Sequence, residues 1–187
     1  MDILRWTTIG LTLAVMAAAV YTDVRWGKIL NAVTAPAALL GIVLNTVIGG
    51  WEGLLASVLG LALGVGLWFV CGILGRILGA GDSKLLAALG ALQGPVFLLY
   101  AIIATALAGG VIAIVIALWR GYLRQSILNL VQSLYGRIVH RVPIDIATAA
   151  PQAAIPYAIP IFCGGLGALY YVHFYLRSIG ASCWPLF

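Results

Sequence analysis

SKLLAALGALQGPVFLLYAIIATALAGGVIAIVIALW, residues 83–119, carries one charged side chain, Lys84, at its very start. As a single helix it would measure about 55 Å at ~1.5 Å per residue, against a hydrocarbon core of roughly 30 Å. It must break, and Gly94-Pro95 is the place. Proline lacks the amide hydrogen a helix interior needs, and glycine tolerates the turn. The reading is a short helix over 82–93 and a full-length one over 96–119. The shorter one either crosses where the bilayer thins or is partly re-entrant.

Working outward, further apolar runs of spanning length cover 3–22, 32–48, 52–74 and 155–176. The expected fold is an all-α polytopic membrane protein of about six transmembrane helices, forming a single domain over 1–187. Composition agrees. Of 187 residues 64% are hydrophobic and only 8% charged, where a soluble domain carries about 25% charged residues. That excludes a soluble enzyme, a disordered tail and a nucleic-acid binder, and leaves the lipid bilayer as the first partner. Ala17-Ala18-Ala19 has the small residues of a signal-peptide cleavage region. Asp2 and Arg5 cancel ahead of it, however, and more spans follow, so the first helix is read as retained.

Six helices place both termini on one side. Arg25 and Lys28 follow the first helix, Arg76 and Lys84 the third, and Arg120, Arg124, Arg137 and Arg141 the fifth. Only Arg5 and Arg177 fall on the opposite face. The positive-inside rule then puts the three basic loops in the cytoplasm and both termini outside the inner (cytoplasmic) membrane. A five-span layout would spoil this division. The net charge of +5 thus sets topology. In the basic cytoplasmic loop 120–152, Leu123, Ile127, Leu130, Leu134 and Ile138 recur at spacings of three and four. The pattern suits either a basic amphipathic helix on the membrane surface or a topology-setting loop.

Cys71, Cys163 and Cys183 form no C-x-x-C pair, and with His140 and His173 they make no zinc-like grouping. They read as small packing residues, and neither a metal nor a cofactor is expected. Among the acidic residues, Asp2, Glu52 and Asp145 read as solvated loop charges. Asp23 and Asp82 differ, because both fall at the cytoplasmic end of a helix. Carboxylates at membrane depth are costly and often functional. Two that share one proton can activate a water and protonate a leaving group. Simpler roles exist: Asp82 as a helix N-cap, Asp23 as a juxtamembrane charge paired with Arg25 or Lys28. The helix dipole favours charge on Asp82, at an N-terminus, over Asp23, at a C-terminus.

Gly79-Ala80-Gly81-Asp82-Ser83-Lys84-Leu85-Leu86 reads G-x-G-D-x-K-L-L, and resembles the second aspartate motif of the prepilin peptidase (type IV leader peptidase) family, GxGD-type intramembrane aspartic proteases. Asp23-Val24-Arg25-Trp26-Gly27-Lys28-Ile29-Leu30-Asn31 is similar to the family's first motif, with Leu30 where proline is usual. Ala154 to Pro160, which includes Pro156-Tyr157, is similar to its late Pro-Tyr/Phe segment. The resemblance covers roughly residues 8–175. It implies an aspartic endopeptidase with Asp23 and Asp82 as catalytic pair, and Gly79, Gly81, Lys84, Asn31 and Pro156 in supporting roles. Its substrates would be pilin-like precursor proteins, whose basic leader is cut at the cytoplasmic face. The cysteine pairs that longer members carry before the first helix are not seen, so a peptidase without methyltransferase activity is expected, of the compact kind that serves Flp/Tad-type or archaeal-type filaments.

Two other readings stay open at this level. In one, the chain is a non-enzymatic transporter or assembly scaffold, for which 23 glycines, some spaced as Gly60-x-x-x-Gly64, suit close helix packing. In the other, it is a GxGD protease for signal peptides, disfavoured because Thr22 rather than tyrosine precedes Asp23. Magnesium would find two carboxylates and no third acidic partner.

Overall fold

The computed structural model describes residues 2–73, 79–119 and 157–175. These fold as α1 (Asp2–Trp26), α2 (Asn31–Ile73), α3 (Ala80–Trp119) and α4 (Ala158–Tyr170), with a π-helical turn (Tyr171–Tyr175) continuing α4. Among the described residues there is no strand, and four helical stretches are long and apolar enough to cross a bilayer.

Both α2 and α3 are broken by a glycine in a conformation that side chains resist: Gly50 at φ 59°, ψ −132° and Gly94 at φ 87°, ψ 176°. The chain folds back at each. A methyl group placed on Gly53 would strike the Asn45 carbonyl, and one on Gly90 would lie 2.9 Å from the Leu98 side chain. Residues eight apart in a continuous helix are about 12 Å apart. Each helix is therefore a hairpin of two arms, 31–49 with 51–73 and 80–93 with 95–119. Glu52, read from the sequence as a turn residue, lies in the first turn of the second arm of α2.

The short arm 80–93 occupies the centre. From Leu85 through Gly94 every residue is buried. Glycines let backbones meet across it: Gly41 against Ala91, Gly60 against Gly90 and Gly64 against Ala87. At about 20 Å the arm is shorter than the hydrocarbon core. Enclosed by other helices, it has no need to match the lipid. Leu85, Leu89, Leu92, Phe97 and Leu98 form the core with Met16 and Ile161. Outward face Leu39, Val43, Val47, Leu107 and Val111, all exposed, the reverse of a water-soluble protein.

Pro95 cannot donate to the carbonyl four residues back, so Ala91 would be left without a helical partner. Asn45 Nδ2 donates to that oxygen at 2.9 Å and to the Leu92 carbonyl at 3.1 Å, and Ser57 Oγ also donates to Ala91. All of these groups are buried. Replacing Asn45 with leucine leaves those carbonyls short of a donor, which is expected to cost about 1–3 kcal/mol, read as a lower unfolding temperature of the detergent-solubilised protein.

The two hairpin turns, the start of α1 and the end of α4 share one end of the bundle. Trp6 and Phe174 meet there, ring centroids 6.4 Å apart. Gln93 joins Thr12 and His173, both contacts at 2.8 Å. The other end collects the C-terminus of α1 and the N-termini of α2, α3 and α4.

Candidate active site

Helix α1 runs to Trp26, four residues beyond the apolar pattern. Its stop signal is Gly27, in the left-handed region at φ 62°, whose amide donates to the Asp23 carbonyl at 2.7 Å. This is the αL cap of a helix C-terminus. Asp23 accordingly sits in the last turn of α1, half-buried, instead of beyond its end.

Asp82 lies in the first turn of α3, also half-buried. It is not the N-cap. Gly79 precedes the helix, its carbonyl accepts from the Ser83 amide at 3.1 Å and from Ser83 Oγ at 3.0 Å, and its backbone hydrogen-bonds the Asp82 carboxylate. The side chain reaches back as the third helical residue of a capping box does. The glycines here are matters of space. A methyl group on Gly79 would lie 2.7 Å from Asp82 Oδ2, and one on Gly81 would lie 3.3 Å from Ile29 Cβ. Gly81 thereby lets α3 approach the turn between α1 and α2.

The two carboxylates lie within electrostatic range of each other, the charge of Asp23 acting on Asp82. A contact that the sequence does not disclose holds Asp23: its Oδ2 accepts the Ala158 amide at 3.1 Å. Ala158 opens α4, so Asp23 also faces a helix N-terminus, and the dipole asymmetry expected from chain order alone is lost. The late proline segment pointed to this stretch, but a backbone donor has no residue signature. Pro156 itself lies outside the described residues, as do the loop 120–152 and Asp145.

Asn31 and Lys84 also come together. Lys84 Nζ donates to Asn31 Oδ1 at 3.0 Å, tying the start of α2 to the first turn of α3. Of the seven residues expected to form the site, the structure thus gathers Asp23, Gly79, Gly81 and Asp82 in one group and Asn31 with Lys84 beside it.

Fold and site define a helical membrane protein with a pair of carboxylates at one end of its bundle. Residues 10–114, more than half of the chain, match the type IV leader peptidase family. The chain belongs to that family and is a peptidase. The match contains Asp23, Asn31 and Gly79 to Lys84 and ends before Pro156. Neither a curated protein nor a solved structure matches the chain significantly.

Proposed function

We propose that the protein is an aspartic-type endopeptidase of the inner membrane that removes the basic leader of pilin-like precursors, with Asp23 and Asp82 as its catalytic pair. The observation that carries this reading is that the charge of one carboxylate reaches the other, from helices far apart in sequence, inside a family of peptidases. In the reaction, the ionised carboxylate takes a proton from a water, whose oxygen attacks the scissile carbonyl carbon. The protonated partner hydrogen-bonds the carbonyl oxygen. Collapse of the tetrahedral intermediate breaks the C–N bond as a proton passes to the leaving nitrogen.

The layout of charge supports the orientation. The end of the bundle that holds the pair also receives Arg25, Lys28 and Lys84, the residues that the positive-inside rule assigns to the cytoplasm. Each helical arm then makes one crossing, six in all, with both termini outside. Water at the interface supplies the nucleophile.

Co-expression with a pilin-like precursor tests the reading through the size shift on leader removal. Cleavage by the unmutated protein that disappears with Asp23→Asn or Asp82→Asn, and persists with Asp145→Asn, supports it. Survival of cleavage in either dyad variant sinks the assignment. A protein that cuts no precursor favours the scaffold.

Gly79 gives a finer test. A β-carbon there would lie 2.7 Å from Asp82 Oδ2, so Gly79→Ala must push that flexible group aside while leaving the helix intact. A misplacement of about 1 Å costs roughly a hundredfold in rate. We expect a loss of that order in kcat with an unchanged unfolding temperature. Wild-type kcat would show that the carboxylate position is not critical.

A further inference from the structure

The 80–93 arm has a second face that borders open space. On the side opposite Asp82, by the ~100° each helical residue turns, Ala80, Lys84, Ala87 and Ala88 line a cavity of about 460 Å³. Thr34 and Ala38 from the first arm of α2 and Val65 and Trp68 from the second complete its walls. Ala35, Val65 and Trp68 are exposed, so the cavity opens at the surface of the bundle. Its lining is almost wholly apolar. The charge at its mouth is the exposed ammonium of Lys84, hydrogen-bonded to Asn31, and no carboxylate among the described residues lines it.

Size and charge select the occupant. A helix about 10 Å across needs roughly 120 Å³ per residue, so the cavity would hold about one turn, too little for a spanning helix. A linear hydrocarbon chain needs only a narrow slot, where it gains close contact with the walls rather than a transfer out of water. The ammonium stands on the basic end of the bundle, where lipid headgroups lie. It favours an anion through charge-assisted hydrogen bonds. We propose that this cavity holds one acyl chain of an anionic membrane lipid, whose headgroup is taken by Lys84. The lipid would brace α2 against the turn of α3 that carries Asp82. The proposal rests on the membrane reading and is independent of leader cleavage.

Native mass spectrometry of the detergent-solubilised full chain tests it. The probes are phosphatidylglycerol, phosphatidylcholine of the same chains, and oleate. We expect one phosphatidylglycerol to be retained in preference to phosphatidylcholine. Lys84→Gln should weaken it at least about tenfold, as loss of one charged hydrogen bond does, and Lys84→Arg should keep it. Val65→Trp should fill the slot and release the lipid. Should that variant misfold, the Lys84 pair decides alone. Oleate held more tightly than phosphatidylglycerol, and lost with Lys84→Gln, supports the site and makes a fatty acid its ligand. Equal retention of the two phospholipids by wild type and Lys84→Gln overturns the proposal, as does a folded Val65→Trp that keeps its lipid. One-for-one displacement by a precursor's apolar helix would give the cavity to substrate and overturn it as well.

Discussion

Asparagine in place of Asp23 or Asp82 is expected to lower leader cleavage by about a thousandfold or more while membrane insertion stays normal. The substitution keeps the shape of each side chain and removes its ability to hold or accept the proton. Positioned acid–base groups contribute about 10²–10⁴ in rate, and in the proposed reaction each half of the pair is useless without the other. The double variant should therefore be scarcely worse than either single one. Folding should tolerate both changes. In Asp23→Asn the Ala158 amide can still donate to the side-chain oxygen, and in Asp82→Asn the Gly79 backbone keeps an acceptor of the same shape. Single-turnover cleavage of a purified precursor measures the effect, with Asp145→Asn as the control. A single dyad variant that cleaves at the wild-type rate would remove that residue from the chemistry.

The largest loss of stability is expected from Gly60→Leu. Gly60 and Gly90 pack backbone to backbone, and a β-carbon on either would collide with the carbonyl of the other. No rotamer relieves a clash at the β-carbon, so the second arm of α2 must move off the central arm. Overpacking a core costs typically about 1–3 kcal/mol, and a clash with backbone belongs at or above the top of that range. Gly66 lies on the same arm with nothing within 4 Å of a β-carbon. Gly66→Ala should be neutral or stabilise by about 0.5–1 kcal/mol, the helical advantage of alanine. Thermal unfolding in one detergent compares the two. Equal unfolding temperatures would mean that the arms are not held in this contact.

Much of the chain was legible before any fold was known. Composition alone demands lipid as solvent. The Gly94-Pro95 break follows from helix length against bilayer thickness. The aspartate motifs carried the family resemblance, because the chemistry of a carboxylate and the spatial freedom of a glycine are written into residue type. Helix ends were less legible. The pattern ended α1 at Thr22, whereas Gly27 ends it, since a left-handed cap is a matter of backbone conformation and hydropathy is blind to it.

What the sequence determined by itself is that this chain lives in a membrane, folds as helices broken at two glycines, and bears two carboxylates in a family's motif. The tertiary structure decided which helix is the core. In a membrane the lipid-facing and protein-facing sides of a helix are both apolar, so periodicity cannot tell them apart, and the segment 82–93, too short to read as an ordinary crossing, became the centre of the bundle. It also decided the company of each polar group. The Ala158 amide reaches Asp23 across 135 positions, Lys84 reaches Asn31 across 53, and Asn45 reaches Ala91 across 46. Only the packing of the helices brings such partners within reach, and for the buried Asn45 the meeting also satisfies carbonyls shut away from water.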